Sequence, residues 1–514
     1  MQIKVIITMI LSVLLSSGSF FLDDYLTEKL NNNHYSKDDL SYGLMLKLDA
    51  AYKIKLTEFE LGTESWLNYG KVLAKGNGQI SKKIADYYFQ QGEFETSIIW
   101  YQQAIKLLDY SAALPLAKAY FIQNKLALAH KTLENVKSLS ATDVLFAIEL
   151  AIAQGDTFSI AKYIDMLSSS EIGKTLVDKI IKYQVLSGAN INQTFNNANY
   201  SLNELQNKAL LSEQSCPTSI QLYATTLADL DQLSEFIKQF KQHPLNEYLC
   251  LSQPKYIPIK QLHCHHNKTK AIKCDEGTWQ SFTQHLNTRY IGLLYPHGGA
   301  NVHLGILYID REDTFDVFSH EITHLLGFVD EYPLVTNHPR CHQTQTAMFA
   351  QNIAVLDKKY YGDKKEIRNN IIKSIPWGEK IKPTTPILTF PVNLKNELLN
   401  TFVKENTWLL GTPNTYKGEY GVFNADTCNE GSFRSYKPLK RITQLQYYQV
   451  EFPNQYLDLL ANNWYEYLMP SFHYNIALSL LVKGDLVEGR TWLLKSASME
   501  SKSARKLKIL QAKF

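Results

Sequence analysis

From about residue 40 to residue 250 the apolar positions recur three and four residues apart and prolines are few, which predicts a long run of amphipathic helices. Part of this run repeats itself. "IADYYFQQGEFETSIIWYQQAIKL" is followed by "LAKAYFIQNKLALAHKTLENV", which aligns Ala85 with Ala117, Tyr88 with Tyr120 and Gly92 with Asn124. A weaker third copy, "ELAIAQGDTFSIAKYIDML", places Gly155 a similar step beyond Asn124, and "WLNYG" at 66–70 is a candidate for an earlier unit. Small residues let paired helices approach, and Gly or Asn tolerates a left-handed turn between them. The pattern predicts stacked helical hairpins.

The texture changes near Gln253, where prolines, glycines and short β-like runs appear. "RYIGLLYP" and "ANVHLGILYID" read as strands, the second with Val302, Leu304, Ile306 and Tyr308 alternating against its other face. Helical spacing returns after "FPNQYLDLLANNWYEYL". "YNIALSLLVKGDLVEGRTWLLKSA" then reads as one more hairpin, with Ala477, Gly484 and Ala497 at the small positions. The expected architecture is multidomain: an all-α repeat region at 20–252, a mixed α+β domain at 253–452, and a short helical segment at 453–514. A chain of 514 residues is too long for one core and agrees with several units.

Composition narrows the function classes. The net charge is only +3 and no long basic run occurs, so nucleic-acid binding has no support. "MQIKVIITMILSVLLSSGSFFLDDYL" opens with Lys4, runs apolar from Val5 to Leu15 and turns small and polar, the layout of a secretory signal at 1–19. The apolar run is short for a membrane span, although an uncleaved anchor is the alternative. No cysteine follows it closely, which argues against a lipoprotein. The expectation is an exported chain, periplasmic or secreted, with no membrane span after cleavage. Six cysteines remain: Cys216, Cys250, Cys264, Cys274, Cys341 and Cys428. In an exported protein they suit disulfides, with Cys264–Cys274 the nearest pair. A small zinc knot on Cys264, His266 and Cys274 is the weaker reading, because paired Cys-x-x-Cys spacing is missing.

The chemistry is concentrated in "FDVFSHEITHLLGFVDEYPL", residues 315–334. His320 and His324 lie one helical turn apart, so both imidazoles leave the same face, as two ligands of a tetrahedral zinc require. Glu321 is rotated off that pair, placed to take a proton without occupying a ligand position. If the helix ends at Gly327 in the left-handed conformation, the chain turns back and offers Asp330 as third ligand. A bare His-Glu-x-x-His arises by chance in roughly 2% of such chains. Adding Gly327 and Asp330 at fixed positions lowers that to on the order of one in ten thousand. Glu331 is an alternative third ligand, and His338 and His342 are more distant candidates.

The extended motif His320-Glu321-x-x-His324-x-x-Gly327-x-x-Asp330 resembles the metzincin clan of zinc peptidases in its aspartate variant, as in snapalysin-like enzymes, and "DEY" at 330–332 resembles the IgA-peptidase-like zincins. "GGANVHLGILYID" is similar to the edge strand that lines the substrate cleft in that clan. The resemblance implies a methionine turn beneath the metal, for which Met348 is favoured and Met469 is the second choice. It also implies an oxyanion-stabilising tyrosine, for which Tyr332, Tyr420 and Tyr436 are unranked candidates. The 32-residue period resembles tetratricopeptide or Sel1-like repeats.

The expected function is an exported zinc metalloendopeptidase. It hydrolyses peptide bonds with a zinc-activated water, Glu321 as general base, and His320, His324 and Asp330 as metal ligands. The helical repeats would recruit a protein substrate or partner. The rival readings are a helical-repeat adaptor whose zinc unit is structural, and a zinc hydrolase acting on a non-peptide amide in cell wall or glycan.

Overall fold

The computed structural model describes residues 21–167, 171–186, 217–265, 270–335, 338, 341–390, 407–428 and 433–511. The expected secretory signal and His266 lie outside the described residues. The chain divides into two compact units, Met1–Gly173 and Lys174–Phe514.

The first unit consists of helical hairpins built as the repeat predicts. Gly78–Gln90 pairs with Phe94–Lys106, Ala113–Ile122 with Leu126–Leu133, and Ala141–Gln154 with Thr157–Leu167. Gly92, Asn124 and Gly155 all take positive φ (77°, 55° and 69°) between the paired helices. Each turn closes with the same bond: Glu93 N–H donates to Tyr88 C=O, Lys125 N–H to Tyr120 C=O and Asp156 N–H to Ala151 C=O. These bonds satisfy carbonyls that a helix end leaves open. Ala85, Ala104, Ala117, Ala119 and Ala129 are buried in one core with Tyr101, Leu116 and Phe146, so the helices approach through β-carbons.

The second unit is organised around a sheet whose strands are β1 (Thr218–Ala224), β2 (Leu249–Leu251), β3 (Lys255–Tyr256), β4 (Tyr290–Tyr295), β5 (Asn301–His303) and β6 (Ile306–Asp310). The order is β2-β1-β4-β6-β5, with β3 also pairing β1. All pairings are parallel except β5, which runs antiparallel to β6 at the edge. Every residue of β4 is buried, as befits a central parallel strand covered on both faces. A small antiparallel sheet joins Phe433–Lys437 to Ala354–Asp357 and to Phe423–Asn424.

Three expectations need correction. The mixed unit does not begin at Gln253: β1 starts 35 residues earlier, followed by the helix Leu227–Phe240. β1 is almost wholly buried and shows no alternation, while the next helix is amphipathic, so the stretch reads as continued helix. "ANVHLGILYID" is two strands rather than one, folded at Leu304 (φ 43°) and Gly305 (φ 83°) into a two-residue hairpin. The C-terminal hairpin, Phe472–Val482 with Leu486–Ser498, is not a separate repeat. Phe472, Ile476, Ala477, Trp492 and Ala497 share a core with Tyr223, Trp279, Ile291 and Tyr308 of the sheet side.

Disulfides staple this unit. Cys264 is bonded to Cys274, the pairing the spacing suggested and a replacement for the zinc-knot reading, and Cys341 to Cys428. Cys250 is disulfide-bonded as well. Among the described residues no helix is long and apolar enough to cross a membrane.

Candidate metal centre

The site helix, Phe315–Leu325, follows β6 and packs against β5 and β6. Phe318, Ile322 and Leu325 are fully buried, which fixes the helix's rotation and with it the direction of His320 and His324. Its end forms a double closure: Gly327 N–H donates to His324 C=O, and Phe328 N–H to Thr323 C=O. The Leu325 carbonyl, which has no partner within the helix, accepts from the Tyr290 hydroxyl (2.8 Å) and from Met469 N–H (3.0 Å). Gly327 has φ 88°, and a Cβ there would meet the Tyr467 carbonyl oxygen at 2.3 Å. Only glycine fits.

The reversal brings the sequence-predicted ligands together. Asp330 Oδ1 lies 3.2 Å from His320 Nε2 and 3.3 Å from His324 Nε2, and the three ligand atoms all lie within 4.8 Å of one another. The other ring nitrogens face backbone carbonyls: His320 Nδ1 lies 2.8 Å from Gln444 O, and His324 Nδ1 lies 3.1 Å from Phe328 O. A neutral imidazole carries one N–H; donated to those carbonyls, it leaves each Nε2 with a lone pair. Two lone pairs and a carboxylate oxygen then converge on one point, an arrangement able to hold a cation. Zinc fits this donor set of two imidazoles and a carboxylate.

Without a metal, a proton takes that role. Burial disfavours a charge on His324, but Asp330 beside it, with Glu321 and the Phe328 carbonyl, outweighs burial and lifts its pKa to about 9. Burial works against the charge on Asp330 too, and the two imidazoles overcome it, holding the carboxyl well below the usual range. Glu321 lies on the same helix with a carboxylate oxygen 4.0 Å from His324 Nε2. Burial pushes its carboxyl up, the direction a proton-accepting and proton-returning group needs.

Glu331, the alternative ligand, faces the other way. Its carboxylate is fully buried and accepts from Lys437 Nζ (2.7 Å), Thr443 Oγ1 (2.8 Å), Asn352 Nδ2 (3.1 Å) and the Tyr456 hydroxyl. Asp330 and Glu331 therefore part company, one to the ligand group and one to the core. His338 and His342 lie outside the ligand group. Of the tyrosines, Tyr332 stacks on His320 (centroids 6.4 Å apart) and hydrogen-bonds Asp330, with burial first and that carboxylate second raising its pKa. Tyr420 instead donates to Gln455 C=O and Asp458 of the helix Asn454–Asn463, and Tyr436 is buried opposite Ala354. For the methionine turn, the backbone passing under the helix end is Tyr467–Met469, through the Gly327 and Leu325 contacts already described. Met348 accepts from the Tyr467 hydroxyl of that segment, and Met469 meets the helix end through its backbone N–H.

No family model matches the chain. No curated protein matches it either. Among solved structures, it is similar to TPR-like repeats attributed to a kinesin light chain of Podosopora anserina. The identity is 13% over 37% of this chain and 96% of that one, with a TM-score of 0.20. A glutamine-to-methionine variant of the same protein gives 14%, 36%, 90% and 0.18. At such scores the likeness implies nothing further; the helical hairpins stand on the backbone pattern of this chain.

Proposed function

We propose that the second unit is a zinc-dependent peptidase, with His320, His324 and Asp330 holding the metal and Glu321 moving the proton. The observation that carries this reading is the convergence of a carboxylate and two imidazoles whose outer nitrogens already face carbonyls. A zinc ion bound there supplies Lewis acidity, which polarises a carbonyl and brings the pKa of a water from about 15.7 towards 7. Glu321, partly buried beside the ligands, accepts the proton of the attacking water and returns it to the leaving amine. Tyr332, about two-fifths exposed and stacked on His320, has its phenol proton on Asp330 and would offer it to the oxygen that gains charge by exchanging that bond.

β5 supports a peptide substrate. Among the described residues it pairs only with β6, so its outer edge can take an extended chain through main-chain hydrogen bonds. The ligand group has three members among the described residues, whereas structural zinc sites usually close four protein positions. That favours catalysis over the adaptor reading. The helical hairpins are read as a protein-binding surface, and the cysteines and N-terminal sequence support export.

The test is Glu321→Gln in the full chain. Metal content should be unchanged and peptide cleavage should fall by about 10²–10⁴-fold. New peptide termini, compared between the two forms in a complex protein mixture, give the readout. Equal cleavage by both would remove Glu321 from the mechanism.

A further inference from the structure

Support for His320 and for the residue beside Asp330 converges on one short segment, Thr443–Gln444–Leu445. Gln444 C=O takes the His320 Nδ1 contact, and Gln444 Nε2 donates to Ser319 Oγ at 2.7 Å. On one side of Gln444, the Thr443 hydroxyl donates to the Glu331 carboxylate; on the other, Leu445 C=O accepts Glu331 N–H at 2.9 Å. The first ligand and the residue after the third ligand thus hang on three consecutive residues that lie far downstream, 112 positions from Glu331 to Thr443 and 124 from His320 to Gln444.

Glu331 extends the bracket. Asn352, which donates to its carboxylate, also clamps Val329 in both directions: Val329 N–H donates to Asn352 Oδ1 at 2.9 Å and Asn352 Nδ2 to Val329 C=O at 2.8 Å. Val329 and Glu331 flank Asp330. On the far side, Thr427 Oγ1 donates to Asp330 C=O at 2.7 Å and Asp426 N–H to Glu331 C=O at 3.2 Å. Lys437 Nζ, on the strand Phe433–Lys437, neutralises the buried carboxylate and also donates to Arg441 C=O and Gln446 Oε1, either side of the same segment. Glu331, Asn352, Tyr456, Thr443 and Lys437 are all 4% exposed or less. A buried charge pair is a poor device for stability alone, since the cost of taking both charges out of water offsets much of their attraction. It is a good device for fixing position.

We infer that Glu331 is a positioning residue: paired with Lys437, it sets Asp330 against the two histidines before any metal arrives. The inference rests on the metal-site reading. Outer-shell partners of metal ligands typically contribute 10–100-fold in affinity, and this one acts through backbone placement rather than through a bond to the ligand itself.

The experiment measures zinc affinity by chelator competition and the absorption spectrum of the cobalt-substituted protein. It uses the full-length wild type, Glu331→Gln, and Glu331→Gln with Lys437→Met. The double variant removes the ammonium that the single one strands, so it is read even if the single one fails to fold. Both variants should bind zinc roughly 10–100-fold more weakly, with a changed cobalt spectrum. The double variant should regain thermal stability without regaining affinity. Wild-type affinity and an unchanged spectrum in the variants, or affinity that returns together with stability in the double variant, would overturn the assignment. Failure of the wild type to bind zinc would instead remove the metal-site reading itself.

Discussion

The two units of this chain bury different things. The helical unit packs alanines and aromatic rings, and its hairpins close with bonds between residues five apart in sequence. The α/β unit buries charge: Arg289 with Glu500, Asp229 beneath the exposed Arg311, and Lys437 with Glu331. Those partners are separated by 211, 82 and 106 residues. A stack of local hairpins needs only the right spacing of small and apolar residues. A unit that must hold three donors at one point needs distant segments fixed to one another, and polar groups with directional bonds do that. The difference teaches which unit tolerates change and which is sensitive to it.

Acid is the strongest way to probe the contrast. Burial pushes His243 and His473 of the α/β unit down to about 4. Each stays neutral in the folded state while the unfolded chain, with an ordinary pKa near 6.5, takes up a proton. Stability is therefore intact above about pH 6.5 and is lost as pH falls towards 4, by about 3 kcal/mol for each imidazole at roughly 1.36 kcal/mol per pKa unit. Denaturant titrations on either side of that window, at neutral pH and in mild acid, check this; a flat profile would show that neither imidazole resists its proton. His473→Asn should reduce the slope between the two conditions.

Gly327→Ala comes next. The left-handed conformation costs a β-carbon residue roughly 1–2 kcal/mol, and the contact with the Tyr467 carbonyl adds about 1–3 kcal/mol of overpacking. The expected outcome is a lower denaturation midpoint of the α/β unit together with weaker zinc binding. An unaltered midpoint would mean that the turn relaxes freely, and the site helix would then need no fixed end.

The smallest effect sharpens the comparison from the other side. Ala117→Leu inserts three carbons between helices of the first unit, where Ala117 is fully buried, and should destabilise that unit by about 1–3 kcal/mol. Zinc affinity should not change. A tenfold loss of affinity would join the two units energetically and contradict their separation.

The legible parts of the sequence were those encoded within a few residues. His320, Glu321 and His324 share a helix, Gly327 ends it, and Asp330 follows the reversal; every step is local, as are the hairpin turns at Gly92, Asn124 and Gly155. The long-range parts were not legible. Nothing near Glu331 marks it as the partner of Lys437, Thr443 and Tyr456, so its place beside Asp330 in the turn left it a candidate for the metal. β1 was hidden because a strand buried on both faces has no alternation, and the β5–β6 turn was hidden because Leu304 takes a conformation that leucine seldom adopts. Gln444 carries no signal at all: its carbonyl, not its side chain, meets His320.

Zinc stoichiometry tests the central claim most directly. Elemental analysis of the full-length protein, purified with zinc and freed of loose metal, should give one zinc per chain in the wild type and in Glu321→Gln. Asp330→Ala and His320→Ala should each give almost none. Equal zinc in all four forms, or none in the wild type, would contradict a metal centre at the point where these three side chains meet.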